Sequence, residues 1–398
     1  MHKQINQNSV YLYLAERGIL IMATLTATKL HYDIVGSFLR PNAIKQARAD
    51  FAAKKIDQEQ LTAVEDEAIR DLVAKEIDAG LKIVTDGEFR RSYWHLDTFW
   101  GFSGIAHTYA DHGYLFHDEE TRNDSAQVVG KIAFDPEHND LKAFKFLNEL
   151  VQGQSGIIAR QSIPSPAQFY AELVRGVENE EALHKYYPDH AELVHDIGQA
   201  YHDLILALYD AGCRDVKLDD CTWGMVVDSD FWQEMTNGEF DRDALQDTYL
   251  ELNNAAIEDL PEDLRISTHI CRGNYHSTWA AKGGYAPVAS HLFAQEKVDA
   301  FYLEFDDERS GDFAPLAEVP AGTQVVLGLV TSKRPELEQK ETLIKRINEA
   351  TQYVPLENLS LSTQCGFAST EEGNQLTEQQ QWDKIRLVVD TAQEVWGD

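Results

Sequence analysis

Positive charge is scarce in this chain: 35 Lys and Arg face 67 Asp and Glu across 398 residues, a formal charge of −32. A nucleic acid or an anionic membrane is met by a positive electrostatic footprint, so neither is an expected partner. Cysteine is scarce too, with 4 residues, at positions 213, 221, 271 and 365. That is too few for a disulfide scaffold at this length, and they read as reduced thiols available to a metal or to catalysis. Long hydrophobic runs are missing. The most apolar early stretch, Val10 to Met22, is interrupted by Glu16 and Arg17 and falls short of the ~20 residues that span a membrane. No signal-peptide pattern is present, so a cytoplasmic location is expected. There is also no Pro/Gly/Ser-rich linker and no shift in composition, so one architecture has to absorb nearly the whole chain.

Against these absences, 43% of the residues are hydrophobic and 10% aromatic, enough to bury a large core. Met22 opens a stretch that looks like an ordinary protein start. The expected organisation is therefore an extension over 1–27, with 1–21 playing no role in the fold, followed by a single domain over 28–398.

Short apolar runs bounded by turn or charged residues predict eight buried strands. They lie around Asp33–Gly36, Leu81–Thr85, Gly156–Arg160, Asp215–Leu218, Arg265–Ile270, Ala300–Phe305, Gln324–Val330 and Asn358–Ser362. Most alternate with helical periodicity, over Gln58–Ala79, Asp140–Gln152, His190–Ala211, Arg242–Leu260, Pro335–Thr351 and Glu378–Val395. Gly80 and Gly212 fall just past two of these helices, where glycine is favoured. Strand and helix alternating eight times predict an α/β fold of the (β/α)8 barrel type, the TIM barrel. The connection between Phe305 and Gln324 has room for only one or two helical turns. The aromatic-rich segment 91–135 does not fit the repeat. It reads as an insertion after strand two, either a lid or small subdomain over the barrel mouth or an aromatic plug on its rim.

In such a barrel the C-terminal ends of the strands gather around one axis. His269 and Cys271 close strand five, Glu304 closes strand six and Cys365 closes strand eight. Imidazole, two thiolates and a carboxylate form a donor set for tetrahedral zinc. The opposing reading is a core histidine with cysteines as apolar filler; four such residues all at strand ends favour the metal. Two thiolates and one carboxylate around Zn²⁺ leave a net charge of −1, a poor generator of hydroxide but a good holder of a nucleophilic thiolate. Alkyl transfer to sulfur is the expected reaction. Glu88 after strand two and Asp219 after strand four are placed to hold an ammonium, and Ser37 after strand one to donate to a carboxylate. Salt bridges to Arg90 or Arg91 are the alternative role for Glu88. Thr331 and Ser332, with Lys333 and Arg334, put hydroxyls and positive charge where an anionic donor can sit, although a helix cap explains Ser332 equally well. Cys221 lies near the same mouth as an uninvolved neighbour. His107, His112 and His117 are too irregularly spaced for a second metal site.

Taken together, Val35-Gly36-Ser37-Phe38, Asp86-Gly87-Glu88-Phe89-Arg90-Arg91, Leu218-Asp219-Asp220, Thr268-His269-Ile270-Cys271, Leu303-Glu304 and Gln364-Cys365-Gly366 resemble the C-terminal catalytic barrel of cobalamin-independent methionine synthase. The resemblance runs in order from about residue 28 onward. It implies a single-barrel member that binds zinc through His269, Cys271, Glu304 and Cys365. Ser37, Glu88 and Asp219 would hold the amino-acid moiety of homocysteine, whose sulfur accepts a methyl group to give methionine. Two departures stand out. Val330-Thr331-Ser332 replaces the family's Ile-His-Ser, and Ile163-Pro164-Ser165-Pro166 occupies the place of its folate-stacking tryptophan. Both concern the methyl donor, which the resemblance leaves between methyltetrahydrofolate and a corrinoid. The rival expectations are alkyl transfer to a different thiol, of the coenzyme-M type, and a non-catalytic barrel stapled by zinc.

Overall fold

Six β-strand stretches are buried at every residue, Ile83–Val84, Gln161–Pro164, Asp215–Asp220, Ala300–Glu304, Gln324–Val330 and Leu359–Thr363. That pattern belongs to a parallel sheet covered on both faces. In the computed structural model, which describes residues 30–236 and 241–397, the strands are β1 (Ile83–Val84), β2 (Ser103–Tyr109), β3 (Asp124–Ala133), β4 (Ile158–Ala159), β5 (Gln161–Pro164), β6 (Asp215–Asp220), β7 (Arg265–Ile270), β8 (Ala300–Glu304), β9 (Gln324–Val330) and β10 (Leu359–Thr363). The expected extension over 1–27 and the start at Met22 lie outside the described residues, and His31–Asp398 cluster as one compact unit.

β5 to β10 form a six-stranded sheet in the order β10-β9-β8-β7-β6-β5, and β1 pairs with β4. All of these ladders are parallel. β4 and β5 are one run of chain whose partner changes at Arg160, so the third strand reaches Pro164, beyond its expected end. The fold is the TIM-barrel type.

The first expected strand, Asp33–Gly36, is not a strand. The adjoining Tyr32 makes a single parallel bridge to Leu361, and beyond it the Ile34 N–H is taken at 2.7 Å by the side chain of Asp33. An ion cluster ties this segment to the barrel instead. Arg160 reaches Asp33 at 2.8 Å and Asp215 at 2.6 Å, and it donates to the Tyr302 hydroxyl at 3.0 Å. Tyr302 in turn donates to Asp33 at 2.5 Å, and Arg265 reaches Asp215 at 3.1 Å. Asp215 and Arg265 open their strands, so this cluster sits at the N-terminal ends of the barrel strands.

The long helices follow from their sequence. Gln58–Asp78 starts on a capping box between Asp57 and Gln60 and buries Leu61, Ile69, Leu72 and Val73 along one stripe. His190–Asp210 is capped by Asp189 and buries Val194, Ile197, Tyr201, Leu204 and Leu208. Gly80 and Gly212 end these helices at φ +96° and +103°, the left-handed conformation that glycine adopts without steric cost. Between β8 and β9 there are only two short 3-10 turns.

Segment 91–135 folds as a short helix, Leu96–Phe99, and an antiparallel hairpin of β2 and β3. Its root is packed into the barrel wall: the Phe99 ring stacks on Phe169 at 4.5 Å, and Phe102 lies 5.0 Å from Tyr201. Its tip carries Tyr114 and Phe116 into the wall of the main cavity.

Candidate active site and metal centre

The register of β6 against β7 pairs Asp219 with His269, so alternation sends Asp219, His269 and Cys271 toward one face at the C-terminal ends of the strands. Cys365 follows β10 there. His269 Nδ1 lies 3.2 Å from the carbonyl of Tyr302. A carbonyl can only accept, so Nδ1 carries the proton and Nε2 presents its lone pair. That Nε2 is buried and, among the described residues, has no hydrogen-bond partner. The sulfurs of Cys271 and Cys365 are 3.7 Å apart, and the ligating atoms of His269, Cys271 and Cys365 all lie within 4.8 Å of one another. A buried imidazole nitrogen without a partner beside two thiols is a donor set that fits zinc. The neighbouring thiols of Cys221 and Cys365 hold the Cys271 thiol well below its ordinary range.

Glu304 is not in this group. One carboxylate oxygen accepts from Arg309 at 2.9 Å and from Lys333 at 3.2 Å, and the other accepts from the Arg272 backbone N–H at 3.1 Å. The Arg272 guanidinium lies 3.9 Å away. The expected fourth ligand is thus drawn into a cradle of cations. Those partners come from three separate loops, which the strand-end pattern does not reveal.

Around the metal-type group lies a cavity of about 1050 Å³, lined among others by Ser37, Glu88, Asp219, His269, Cys271 and Cys365. Glu88 sits at φ +59°, directly after Gly87 at φ +67°, a conformation that costs a non-glycine residue about 1–3 kcal/mol and is kept where surrounding structure enforces it. Its N–H donates to Asp86 at 2.9 Å and Arg91 stands 3.6 Å from its carboxylate. The other carboxylate oxygen, Oε2, is buried without a partner, as is Oδ1 of Asp219. Burial pushes the Glu88 carboxyl up to about 7 against the pull of Arg91, with Asp219 raising it further. Burial likewise raises Asp219, opposed mainly by Lys217. The expected salt bridge of Glu88 to Arg91 is therefore present, yet it leaves one carboxylate oxygen free. Arg90 turns away to Glu65 and Asp66.

Ser37 packs against the turn after β10: a Cβ on Gly366 would lie 1.8 Å from the Ser37 hydroxyl oxygen, so only glycine fits there. That oxygen accepts from the Ala368 N–H at 3.4 Å, leaving its own proton to donate. Thr331 does not line the cavity. Its hydroxyl accepts from the Lys333 N–H at 3.2 Å and its N–H donates to Glu338 at 2.9 Å; the residue caps its own loop. Ser332 donates to the carbonyl of Gly366 at 2.8 Å.

Sequence reasoning missed Arg40. Its guanidinium is buried and donates to the carbonyls of Phe38, Gly87, Ala368 and Arg91, pinning together the loops that follow strands one, two and eight. Also missed was the hairpin's polar chain. His95 Nε2 meets the Tyr114 hydroxyl at 2.9 Å, and that hydroxyl donates to Glu172 at 2.7 Å. Burial lowers His95 to about 3, so it is neutral. A lone histidine among aromatics carried no signal for either role. His107, His112 and His117 join no metal-type group among the described residues.

Residues 139–394 match the family described as cobalamin-independent synthase, catalytic domain. Protein YxjH of Bacillus subtilis is 43% identical over 365 residues, which covers 92% of this chain and 94% of that protein. A provisionally named vitamin-B12-independent methionine synthase from Listeria monocytogenes is 36% identical and superposes with a TM-score of 0.72 over 93% of this chain and 100% of that one. A B12-independent methionine synthase from Shewanella sp. W3-18-1, solved with selenomethionine, shares the fold at 18% identity, with a TM-score of 0.67 over 92% and 98% of the two chains.

Proposed function

The chain belongs to the cobalamin-independent methionine synthase catalytic-domain family, and from that premise we propose that it transfers a methyl group to the sulfur of homocysteine, giving methionine, at a zinc ion held by His269, Cys271 and Cys365. Family membership supports a methyltransferase. The observation that carries the finer reading is the set of buried polar atoms left without partners around one cavity: His269 Nε2, Glu88 Oε2 and Asp219 Oδ1. An unsatisfied buried polar group costs about 1–3 kcal/mol, and three of them converging is the mark of a site whose partners arrive with the ligand.

Zinc, when bound, holds the substrate sulfur as a thiolate at neutral pH, below the free thiol value of about 8.5. The chain's own residues do the rest. Glu88 and Asp219 accept from the ammonium of the amino acid, each with the oxygen that has no protein partner. The Ser37 hydroxyl, whose proton is uncommitted, donates to the carboxylate. Held at both ends, the amino acid directs its sulfur toward His269, Cys271 and Cys365, so the attack on the methyl carbon is prearranged rather than diffusive. Tyr114 and Phe116 on the hairpin tip, with Tyr275, supply aromatic walls to the cavity. The donor is methyltetrahydrofolate or a corrinoid. Among the described residues, Arg175 is the one Lys or Arg lining this cavity and is already paired with Glu172 at 3.2 Å, which disfavours a donor with a long polyanionic tail. A cytoplasmic setting fits a chain in which, among the described residues, no helix is long and apolar enough to cross a membrane.

The test is product analysis. Zinc-loaded protein is mixed with homocysteine and a panel of methyl donors, and methionine is followed by mass spectrometry. Methionine from at least one donor, lost in Cys365→Ser, is expected. Methylation of another thiol, such as coenzyme M, with none of homocysteine would overturn the choice of acceptor. No thiol methylated by any donor would leave a zinc-stapled barrel.

A further inference from the structure

His95, just before the short helix Leu96–Phe99, is buried in the wall of the main cavity, its ring 4.7 Å from that of Trp94, 5.1 Å from Tyr114 and 5.6 Å from Phe99. Its tautomer follows from its neighbours. Glu172 accepts from the Ser125 hydroxyl at 2.7 Å and pairs with Arg175 at 3.2 Å, so it also takes the proton of the Tyr114 hydroxyl, 2.7 Å away. A hydroxyl has one proton to give. The Tyr114 oxygen can therefore only accept from His95 Nε2 at 2.9 Å. His95 is neutral, since burial lowers it to about 3, and a neutral imidazole carries a single N–H. With that proton on Nε2, Nδ1 is a bare lone pair. It is buried and, among the described residues, has no hydrogen-bond partner. Buried acceptors are satisfied as a rule, so one that faces a cavity wants a donor from the ligand.

The surroundings say which kind of group that is. Tyr93, Trp94, Tyr114 and Phe116 line the cavity beside His95, an apolar aromatic wall. A lone pair repels an anion, and the neighbouring Arg175 is already held by Glu172. Ser37, Glu88 and Asp219 provide for the charged ends of the amino acid, which leaves the aromatic wall to the other reactant. We propose that His95 is a specificity-determining residue for the methyl donor: its Nδ1 accepts an N–H from an uncharged ring or carboxamide of the donor, seated against the rings of segment 91–135. This rests on the methyltransferase reading above. Both donor classes named there present such a group, the pteridine ring N–H of methyltetrahydrofolate and the peripheral carboxamides of a corrinoid.

Nitrogen NMR of zinc-loaded, histidine-labelled protein tests this without turnover, with methyltetrahydrofolate monoglutamate and methylcobalamin as the two probes and no thiol present. The His95 Nδ1 resonance, identified by its loss in His95→Phe, should move toward that of a nitrogen accepting a hydrogen bond when one of the probes is added, and the probe that moves it names the donor class. His95→Phe, which fills the same space without an acceptor, should weaken binding of that probe about tenfold and leave methionine affinity unchanged. His95→Asn, whose side-chain carbonyl can stand in for Nδ1, should recover most of the loss. Binding of neither probe, binding with Nδ1 unmoved, or equal affinity in His95→Phe would overturn the proposal. So would a shift of Nδ1 on adding methionine alone, which would assign the atom to the amino acid. Failure of the underlying reading looks different: a probe binds through His95, yet no thiol is methylated by it.

Discussion

The barrel holds two charged clusters, one at each end of its strands, and they are finished differently. At the N-terminal ends Arg160, Asp33, Asp215, Arg265 and Tyr302 satisfy one another, and none of them carries a buried polar atom without a partner. At the C-terminal ends His269, Glu88 and Asp219 each keep one buried atom unpaired. Both clusters are buried and both are costly to desolvate. The lower one is closed and stands in for the strand that Asp33–Gly36 does not form. The upper one is left open at those three atoms, the feature on which the proposed function rests.

That contrast can be broken at either end. The largest effect is expected from Cys271→Ser or Cys365→Ser, which should remove both zinc and methyl transfer while the unfolding midpoint of the metal-free protein stays near that of the metal-free parent. Metal analysis beside urea denaturation checks it. Next is Arg160→Met, which strands two buried carboxylates and should lower stability by about 3–5 kcal/mol, read by urea unfolding. Zinc content per folded molecule should be unchanged.

Smaller is Glu88→Gln. Loss of a charge-assisted hydrogen bond worth about 1.5–3 kcal/mol should weaken methionine binding about 10- to 100-fold, measured by calorimetry with the thioether product so that no thiol titrates. The pH dependence has a definite sign. The Glu88 carboxyl is raised to about 7 in the folded protein, so it is protonated below that pH and ionised above it. Methionine affinity should therefore rise as pH increases through about 7, and Glu88→Gln should flatten that rise. The groups facing Glu88 are Arg91, Asp219, Arg40 and Asp86. For folding alone the sign is opposite. The native state holds the proton more tightly than the unfolded chain, so this group's contribution to stability falls between the unfolded value near 4.5 and about 7. The smallest effect belongs to Thr331→Ala, which should leave methionine affinity unchanged, since Thr331 caps its own loop.

Much of this was legible in the sequence because it depends on local pattern. Buried runs such as Gln324–Val330 and the glycine stops at Gly80 and Gly212 declare themselves residue by residue. The convergence of His269, Cys271 and Cys365 follows from barrel topology. What stayed hidden depends on which distant side chain reaches a group first. Asp33 captures its neighbour's N–H where a strand was expected. Lys333 and Arg309 pair with Glu304, contacts that no strand-end pattern announces. Arg40 is one basic residue among 35 until the carbonyls of four loop residues close around it.

The central claim is that the substrate's chalcogen joins His269, Cys271 and Cys365 at one metal ion. Zinc K-edge absorption of the wild-type protein mixed with selenohomocysteine tests it most directly, because selenium is distinguished from every protein sulfur. The account predicts one selenium neighbour of zinc, absent when selenomethionine is added instead at low occupancy of the sulfur position. A zinc shell of nitrogen and sulfur alone, unchanged at saturating selenohomocysteine, would contradict it.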